Sequence, residues 1–443
     1  MKNLIKKCIV WQLGVLAWMY LRRFKPMIVA VTGNVGKTST KEAIATVLSS
    51  VKKVRASKGN LNNEFGVPLT ILGDWSDEYY EEGSGPFFWS KVLWVSIFKL
   101  LSDKDYPEVL VLEYGADAPG DIRRLCRKFK PHISVITAVG DVPVHVEFFQ
   151  SPKKLAKEKA ELVKCLNTDD HAVLNYDDEA VFEMKEKTKA RVHTYGFGEG
   201  ADLRLSNFDL RWDDDSPRSS ESGAGGKPIG ISFKFNKGEH TYVPVKINGS
   251  LGKSQAWAAG AAAVVGSIFG MNLLQISEAL ADYHGPNGRL KILKGIKDSI
   301  IIDDTYNASP ASTHLALETL KEFNGRKIAV LGDMLELGEF TEAAHREVGN
   351  FAASFVDVLV CVGARMKFAA DSAANQMPSD NIYAFDTSDL ANKKVQDLIQ
   401  PGDIILVKGS QGIRMEKIVE EIMADPENRK ELLVRQSKKW LNK

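Results

Sequence analysis

Short runs of aliphatic and β-branched residues recur along the chain, and each closes on a glycine or an acidic residue. MIVAVTG (27–33), PEVLVLEYGAD (107–117), PHISVITAVG (131–140) and HAVLNYDD (171–178) are runs of this kind, and they predict buried strands. Between them, KTSTKEAIATVLSSV and residues 119–129 and 152–166 carry apolar positions at helical spacing. Strands that alternate with helices predict a parallel sheet covered on both faces. Such sheets bind ligands at the carboxyl ends of their strands, where Gly33, Glu113 and His145 fall. A second alternation starts near Gly288, with SIIIDDTYNASP, KIAVLGDMLELG, DVLVCVGA and DIILVKGSQG. The boundary is expected in YHGPNGR (283–289), where glycine and proline cluster. SQAWAAGAAAVVGSIFG reads as a small-residue helix suited to close packing. RWDDDSPRSSESGAGGKP (211–228) reads as a loop or disordered hairpin tip. No internal repeat is present.

Composition narrows this picture in two places. The 58 Lys and Arg against 57 Asp and Glu give a net charge of +1, so no global charge argument for nucleic-acid binding exists. Cys8, Cys126, Cys165 and Cys361 form no CxxC pair, which disfavours a zinc knuckle or a disulfide framework and fits a reducing cytosol. The N-terminus is unusual: CIVWQLGVLAWMYL (8–21) is apolar nearly all round and is flanked by Lys6-Lys7 and Arg22-Arg23. As a helix it is about 21 Å long, short of a bilayer core of roughly 30 Å, and no small-residue cleavage site follows it. It either packs on the body or lies in a membrane interface, anchored by Trp11, Trp18 and its flanking cations.

The chemistry concentrates at Gly33-Asn34-Val35-Gly36-Lys37-Thr38-Ser39. A strand, a glycine turn and a helix start form the arrangement in which backbone N–H groups and the helix dipole hold phosphates. The usual first glycine of a phosphate loop is replaced by Val31, so a plain strand-to-helix turn is the alternative. In the phosphate reading, Lys37 neutralises the β- and γ-phosphates, and Thr38 or Ser39 offers a hydroxyl to Mg²⁺. Glu113, at the end of VLVL, brings a carboxylate to the next strand end. His145 in GDVPVHVEFF follows a further strand.

Several longer stretches then resemble one family. TGNVGKTSTKE, GNLNNEFGVPLTIL, EYGADAPGDI, VHVEFFQS, EKAELVK, GRLKIL, IIDDTYNASPAS, IAVLGDMLELGEFTEAAHREVG and VKGSQGIRMEKIV run in order over about residues 27–420. Together they resemble the Mur ligases, in particular members that join D-alanyl-D-alanine to UDP-N-acetylmuramoyl-tripeptide. The short GxxGKTS loop is that family's own form.

The resemblance implies an α/β protein: an apolar helix over 1–25, a P-loop-type central domain with a parallel sheet over 26–285, and a Rossmann-like α/β domain over 286–443. It implies an ATP-dependent amide ligase of peptidoglycan precursor synthesis, cytoplasmic or associated with the inner membrane face, working with Mg²⁺ (two ions) and through an acyl phosphate. It implies catalytic roles for Lys37, Lys159 and His145, and metal ligation by Thr38, Glu113, His145 and Lys159, the last as a carbamate. A carbamate supplies oxygen donors where an ammonium would repel Mg²⁺; otherwise Lys159 is an ordinary helix lysine. Nucleotide contacts are implied for the loop and for Gln255, Arg289 and Asp304. Substrate contacts are implied for Asn62, Asn63, Asp333, Lys408 and Ser410.

The chain departs from the family pattern at GKSQAWAAGAA, where GxHNVYNALAA is typical, and at Gln150, where glycine is usual. The family's N-terminal domain, which holds the UDP-sugar, has no counterpart in the matching stretches. This leaves open a different carboxylate acceptor, or a nucleotide-binding scaffold without catalysis. It also draws attention to GPFFWSKVLWVSIFKLL (85–101), which is either a core helix or, with the N-terminal helix, a substitute for that domain or a membrane contact.

Overall fold

In this computed structural model, residues 2–441 are described apart from 60, 82, 84, 144, 214–225 and 239. Most of the loop expected over 211–228 lies outside the described residues. The first alternation builds a nine-stranded sheet: β1 (Met27–Thr32), β2 (Val54–Ala56), β3 (Val109–Glu113), β4 (Ile133–Ile136), β5 (His171–Asn175), β6 (Arg191–Gly196), β7 (Leu203–Trp212), β8 (Pro228–Lys237) and β9 (Thr241–Asn248). Their order is β2-β3-β1-β4-β5-β6-β7-β8-β9, parallel as far as β7 and antiparallel from β7 to β9. Strand β1 therefore lies between β3 and β4, with Val31 beside Glu113 and Thr32 beside Ile136.

Both faces of the parallel part are covered, which is why its strands are almost uninterrupted apolar runs. One face meets the helix Lys37–Ser49, which packs on the alanine-rich helix Lys253–Ile268. The other face meets the helices Asp121–Lys128 and Pro152–Lys164. The N-terminal helix, Lys2–Phe24, docks beside that layer. Leu13, Leu16, Ala17 and Tyr20 are buried, and the Tyr20 hydroxyl donates to the Ser96 carbonyl at 2.7 Å. The aromatic segment is the helix Pro86–Ser102, with Phe88, Trp89, Val92 and Leu100 turned inward. Among the described residues, no helix is long and apolar enough to cross a membrane.

The second alternation forms a six-stranded sheet: β10 (Lys291–Lys294), β11 (Ile300–Asp304), β12 (Lys327–Gly332), β13 (Val358–Val362), β14 (Ile382–Phe385) and β15 (Ile404–Lys408), in the order β10-β11-β15-β12-β13-β14. Only β10 runs antiparallel to its neighbour. Asp304 and Lys408 end adjacent parallel strands and are register partners.

Candidate active site

The turn after β1 is shaped by two glycines. Gly33 has φ 144° and Gly36 has φ 82°, and a side chain on Gly33 would collide with the Thr137 hydroxyl. The Asn34 and Val35 amides donate to the Ala138 carbonyl at 2.7 and 3.0 Å, and the Asn34 side chain donates to the Val139 carbonyl at 2.9 Å. The Val139 and Gly140 amides in turn donate to Asp178 at 2.7 and 3.0 Å. The loop is thus stitched to the segment after β4. The Asn34 and Val35 amides are therefore engaged within the fold. The free end of the nest begins at Gly36, which caps the helix Lys37–Ser49 without any side-chain capping bond. Its first-turn amides and dipole form the kind of end that holds an anion.

The Thr38 hydroxyl donates to Glu113 at 3.2 Å, and the other Glu113 oxygen accepts from the Asn62 side chain at 3.1 Å. Burial alone would raise the Glu113 carboxyl, yet Lys37, Lys41 and Asn62 outweigh it and hold the group below its ordinary value. Lys37 is partly buried, and its ammonium reaches the Asn34 carbonyl at 3.5 Å. Desolvation pulls its pKa down and Glu113 pulls it back up. Lys159 is 1% exposed on the helix Pro152–Lys164. Burial, reinforced by the Lys37 charge, lowers its pKa to about 7. The neighbouring Glu158 does not pair with it, since both its oxygens accept backbone amides of Gly120 and Ile122 at 2.8 and 2.9 Å.

Arg289 closes the cluster from the far side. Its guanidinium lies 4.0 Å from the Tyr306 ring centre, its charge is felt by Lys37, Glu113 and Asp304, and its Nε is buried without a partner. An orphaned guanidinium nitrogen whose charge is felt by Lys37 suits a phosphate oxygen.

Other expected contacts are occupied by the fold. Gln255 donates to the Arg289 carbonyl at 2.8 Å and accepts from the Tyr283 hydroxyl at 2.7 Å, and it is 1% exposed. It braces the Arg289 segment. Asp304 and Lys408 pair with each other at 2.6 Å, and Lys408 also donates to the Asn307 carbonyl at 2.9 Å. Asp333 accepts from the Arg365 and Met366 amides at 3.0 and 2.8 Å and pairs with the Arg365 guanidinium at 3.3 Å. It anchors that loop. The Ser410 hydroxyl accepts the Leu335 amide at 2.9 Å, and Asn63 accepts the Phe65 and Gly66 amides at 3.1 Å. Each of these polar groups satisfies backbone donors of its own or a neighbouring loop.

His145 sits at φ 71° before the short helix Val146–Phe149, and its ring pairs with Glu336 of the second sheet's loops. This contact joins the segment after β4 to the loop after β12. Among the described residues, no three His, Cys, Asp or Glu side chains are grouped to hold a metal. A cleft of about 450 Å³ opens here, lined by His145, Asn307, Glu336, Gln411 and Arg414.

Sequence reasoning missed Lys41, Asp178, Tyr306 and Glu336. Lys41 is one helical turn beyond Lys37 in KTSTKE, is fully buried, and donates to the Ser57 carbonyl. Its spacing from Lys37 was a readable signal. The Glu336–His145 pair joins residues 191 positions apart and left no such signal.

Two sequence models of one family match the chain: the Mur ligase middle domain over residues 95–243, and the Mur ligase glutamate ligase domain over residues 288–411. The UDP-N-acetylmuramoyl-tripeptide–D-alanyl-D-alanine ligase of Bacillus subtilis is 28% identical over 414 residues, covering 93% of this chain and 79% of the relative. The Escherichia coli protein of the same name is 27% identical over 410 residues, covering 92% and 79%. Among solved structures, MurF of Thermotoga maritima in complex with ADP aligns with a TM-score of 0.75 and 26% identity, covering 95% of this chain and 84% of that one. MurF of Acinetobacter baumannii aligns with a TM-score of 0.74 and 25% identity, covering 92% and 79%. Two matching domain models, a shared fold and a phosphate loop with its lysines and carboxylate in place lead to one conclusion: the chain belongs to the Mur ligase family.

Proposed function

We propose that the protein is an ATP-dependent ligase that joins D-alanyl-D-alanine to the carboxylate of UDP-N-acetylmuramoyl-tripeptide. The single observation that carries this reading is the cluster of Lys37, Thr38, Glu113, Lys159 and the orphaned Arg289 Nε around the phosphate-loop helix. The γ-phosphoryl group of ATP passes to the acceptor carboxylate, giving an acyl phosphate and ADP. The dipeptide amine then attacks the acyl carbon, and phosphate leaves with the C–O bond electrons.

Lys37, the first-turn amides and Arg289 neutralise charge that develops on the transferred group, where preorganised donors are most effective. Thr38, Glu113 and a carbamylated Lys159 are the residues that would hold Mg²⁺, which would supply positive charge to the phosphate oxygens. The geometry suits that role: the Thr38 hydroxyl and an ionised Glu113 are in contact, and burial lowers the Lys159 pKa to about 7, which makes the neutral amine accessible. A neutral amine can add to CO₂, releasing one proton and leaving a carbamate. The cleft between His145 and Gln411 gives the incoming dipeptide an approach between the sheets. This reading places the protein in the cytoplasm.

Phosphate release with UDP-N-acetylmuramoyl-tripeptide and ATP, with and without D-alanyl-D-alanine, tests the assignment. Release that requires both substrates is the expected result. Release that ignores either one overturns it.

A further inference from the structure

The N-terminal helix and the helix Pro86–Ser102 each bury one face and leave the opposite face bare, although both are apolar on both sides. On the first, Trp11, Val15, Trp18 and Met19 are 66, 40, 47 and 43% exposed. On the second, Phe87, Trp94, Ile97, Phe98 and Leu101 are 82, 73, 46, 71 and 70% exposed. At 3.6 residues per turn each set falls within an arc of about 100°. Nine of the sixteen large apolar side chains exposed among the described residues therefore lie on two helices. Isolated exposed apolar side chains are ordinary, whereas a contiguous group marks a contact surface.

The two helices are neighbours and run the same way. Tyr20 bonds the Ser96 carbonyl, and Arg23 bonds the Leu101 carbonyl at 3.1 Å. Their charges are one-sided. The N-terminal helix carries Lys2, Lys6, Lys7, Arg22 and Arg23, the aromatic helix carries Lys91 and Lys99, and neither contains Asp or Glu. The chain as a whole is nearly neutral at +1. Arg22 lies 4.8 Å from the Trp18 ring centre, placing a cation beside an exposed indole. Glu64 and Glu78 offset Lys6 and Lys91 at 3.4 and 2.7 Å, and Asp103 follows the aromatic helix, which leaves Lys7, Arg22 and Arg23 beside the exposed tryptophans of the N-terminal helix. Exposed tryptophans with cations along the same helix match the chemistry of the lipid interface.

We propose that these two helices form a peripheral docking face for an anionic lipid bilayer, with Trp11, Trp18, Trp94 and Phe98 entering the headgroup region and the flanking lysines and arginines facing the lipid phosphates. The contact is interfacial, since neither helix is long and apolar enough to span. It depends on this surface alone and stands apart from the ligase reading.

Full-length protein is floated with vesicles of phosphatidylcholine alone and with vesicles containing about one third phosphatidylglycerol. Binding to the anionic vesicles, at least about tenfold tighter than to the neutral ones and weakened by salt, is expected. A Trp18→Ser, Trp94→Ser, Phe98→Ser variant should bind at least about tenfold more weakly. These side chains are exposed, and an unchanged Tm confirms that the fold is intact. Absence of binding by the unaltered protein overturns the proposal. So does a dimer in sedimentation that the same substitutions abolish while vesicle binding is missing, because a second copy would then be the occupant.

Discussion

The carboxyl ends of the two sheets place similar residue types in similar positions, yet they leave them in opposite states. In the second sheet most charges are paired off, Asp304 with Lys408 at 2.6 Å and Asp333 with Arg365 and two backbone amides, and the exception is Asp303, which is fully buried with one oxygen unpartnered. In the first sheet, no carboxylate among the described residues forms an ion pair with Lys37 or Lys159, and Glu113 meets only the Thr38 hydroxyl and the Asn62 amide by hydrogen bond. Burial works against both lysines. A strand end is therefore no sufficient sign of a ligand contact. The end prepared for a ligand is the one whose buried charges lack protein partners, because an incoming anion or metal can then supply what the fold withholds.

The strongest break of this contrast is Lys37→Ala. It should cut synthetic turnover by about a thousandfold while leaving Tm nearly unchanged, since removing a partly desolvated charge costs the fold little. Steady-state kinetics beside a thermal melt checks both halves.

Asp304→Asn should do the reverse and act on stability. It strands the Lys408 ammonium, which is 2% exposed, at a cost of about 3 kcal/mol in urea unfolding. Adding Lys408→Met should recover most of that loss. Failure of the second change to rescue the first would show that the pair is more than a buried structural contact.

Lys159→Met separates charge from volume. A base whose folded pKa is about 7, against an ordinary 10.5, resists protonation in the folded state. The penalty is present in full below pH 7, fades as pH rises, and is gone above 10.5. In CO₂-depleted buffer the variant should melt several degrees above the parent at pH 6, with the gap closing towards pH 10. A constant gap would contradict a desolvated Lys159. The same variant should lose about a hundredfold in turnover.

The smallest effect is expected at Ser410→Ala, about 1 kcal/mol of stability through the lost Leu335 bond, with KM for D-alanyl-D-alanine within about twofold of the parent. A large KM change with stability intact would return Ser410 to the substrate contacts.

Much of this contrast was legible before folding. The alternation of apolar runs and helical spacing anticipated both parallel sheets, and Gly33 and Gly36 announced the turn that starts the phosphate helix. Lys37, Thr38 and Glu113 were readable because a strand end and a helix start are local features. The reading of the N-terminal segment resolved in an unexpected way: one face packs through Leu13, Leu16 and Tyr20, and the other stays bare. Periodicity could not separate these faces, because the helix is apolar all round.

Gln255, Asp333, Asn63 and Ser410 all bond the chain itself, a feature their sequence positions did not show. Each is a polar residue near a glycine turn, and composition does not reveal whether its hydrogen-bonding capacity meets a ligand or the chain's own backbone.

What the sequence by itself determined is the order of elements and the residue types at their ends, since both follow from short-range periodicity and turn chemistry. Only the tertiary structure decided which charges are cancelled. It set Lys408 against Asp304 across 104 positions, drew His145 to Glu336, and buried Lys159 near Lys37 without a paired carboxylate. Burial and pairing depend on what lies within a few ångströms in space, and the chain order does not encode that distance locally.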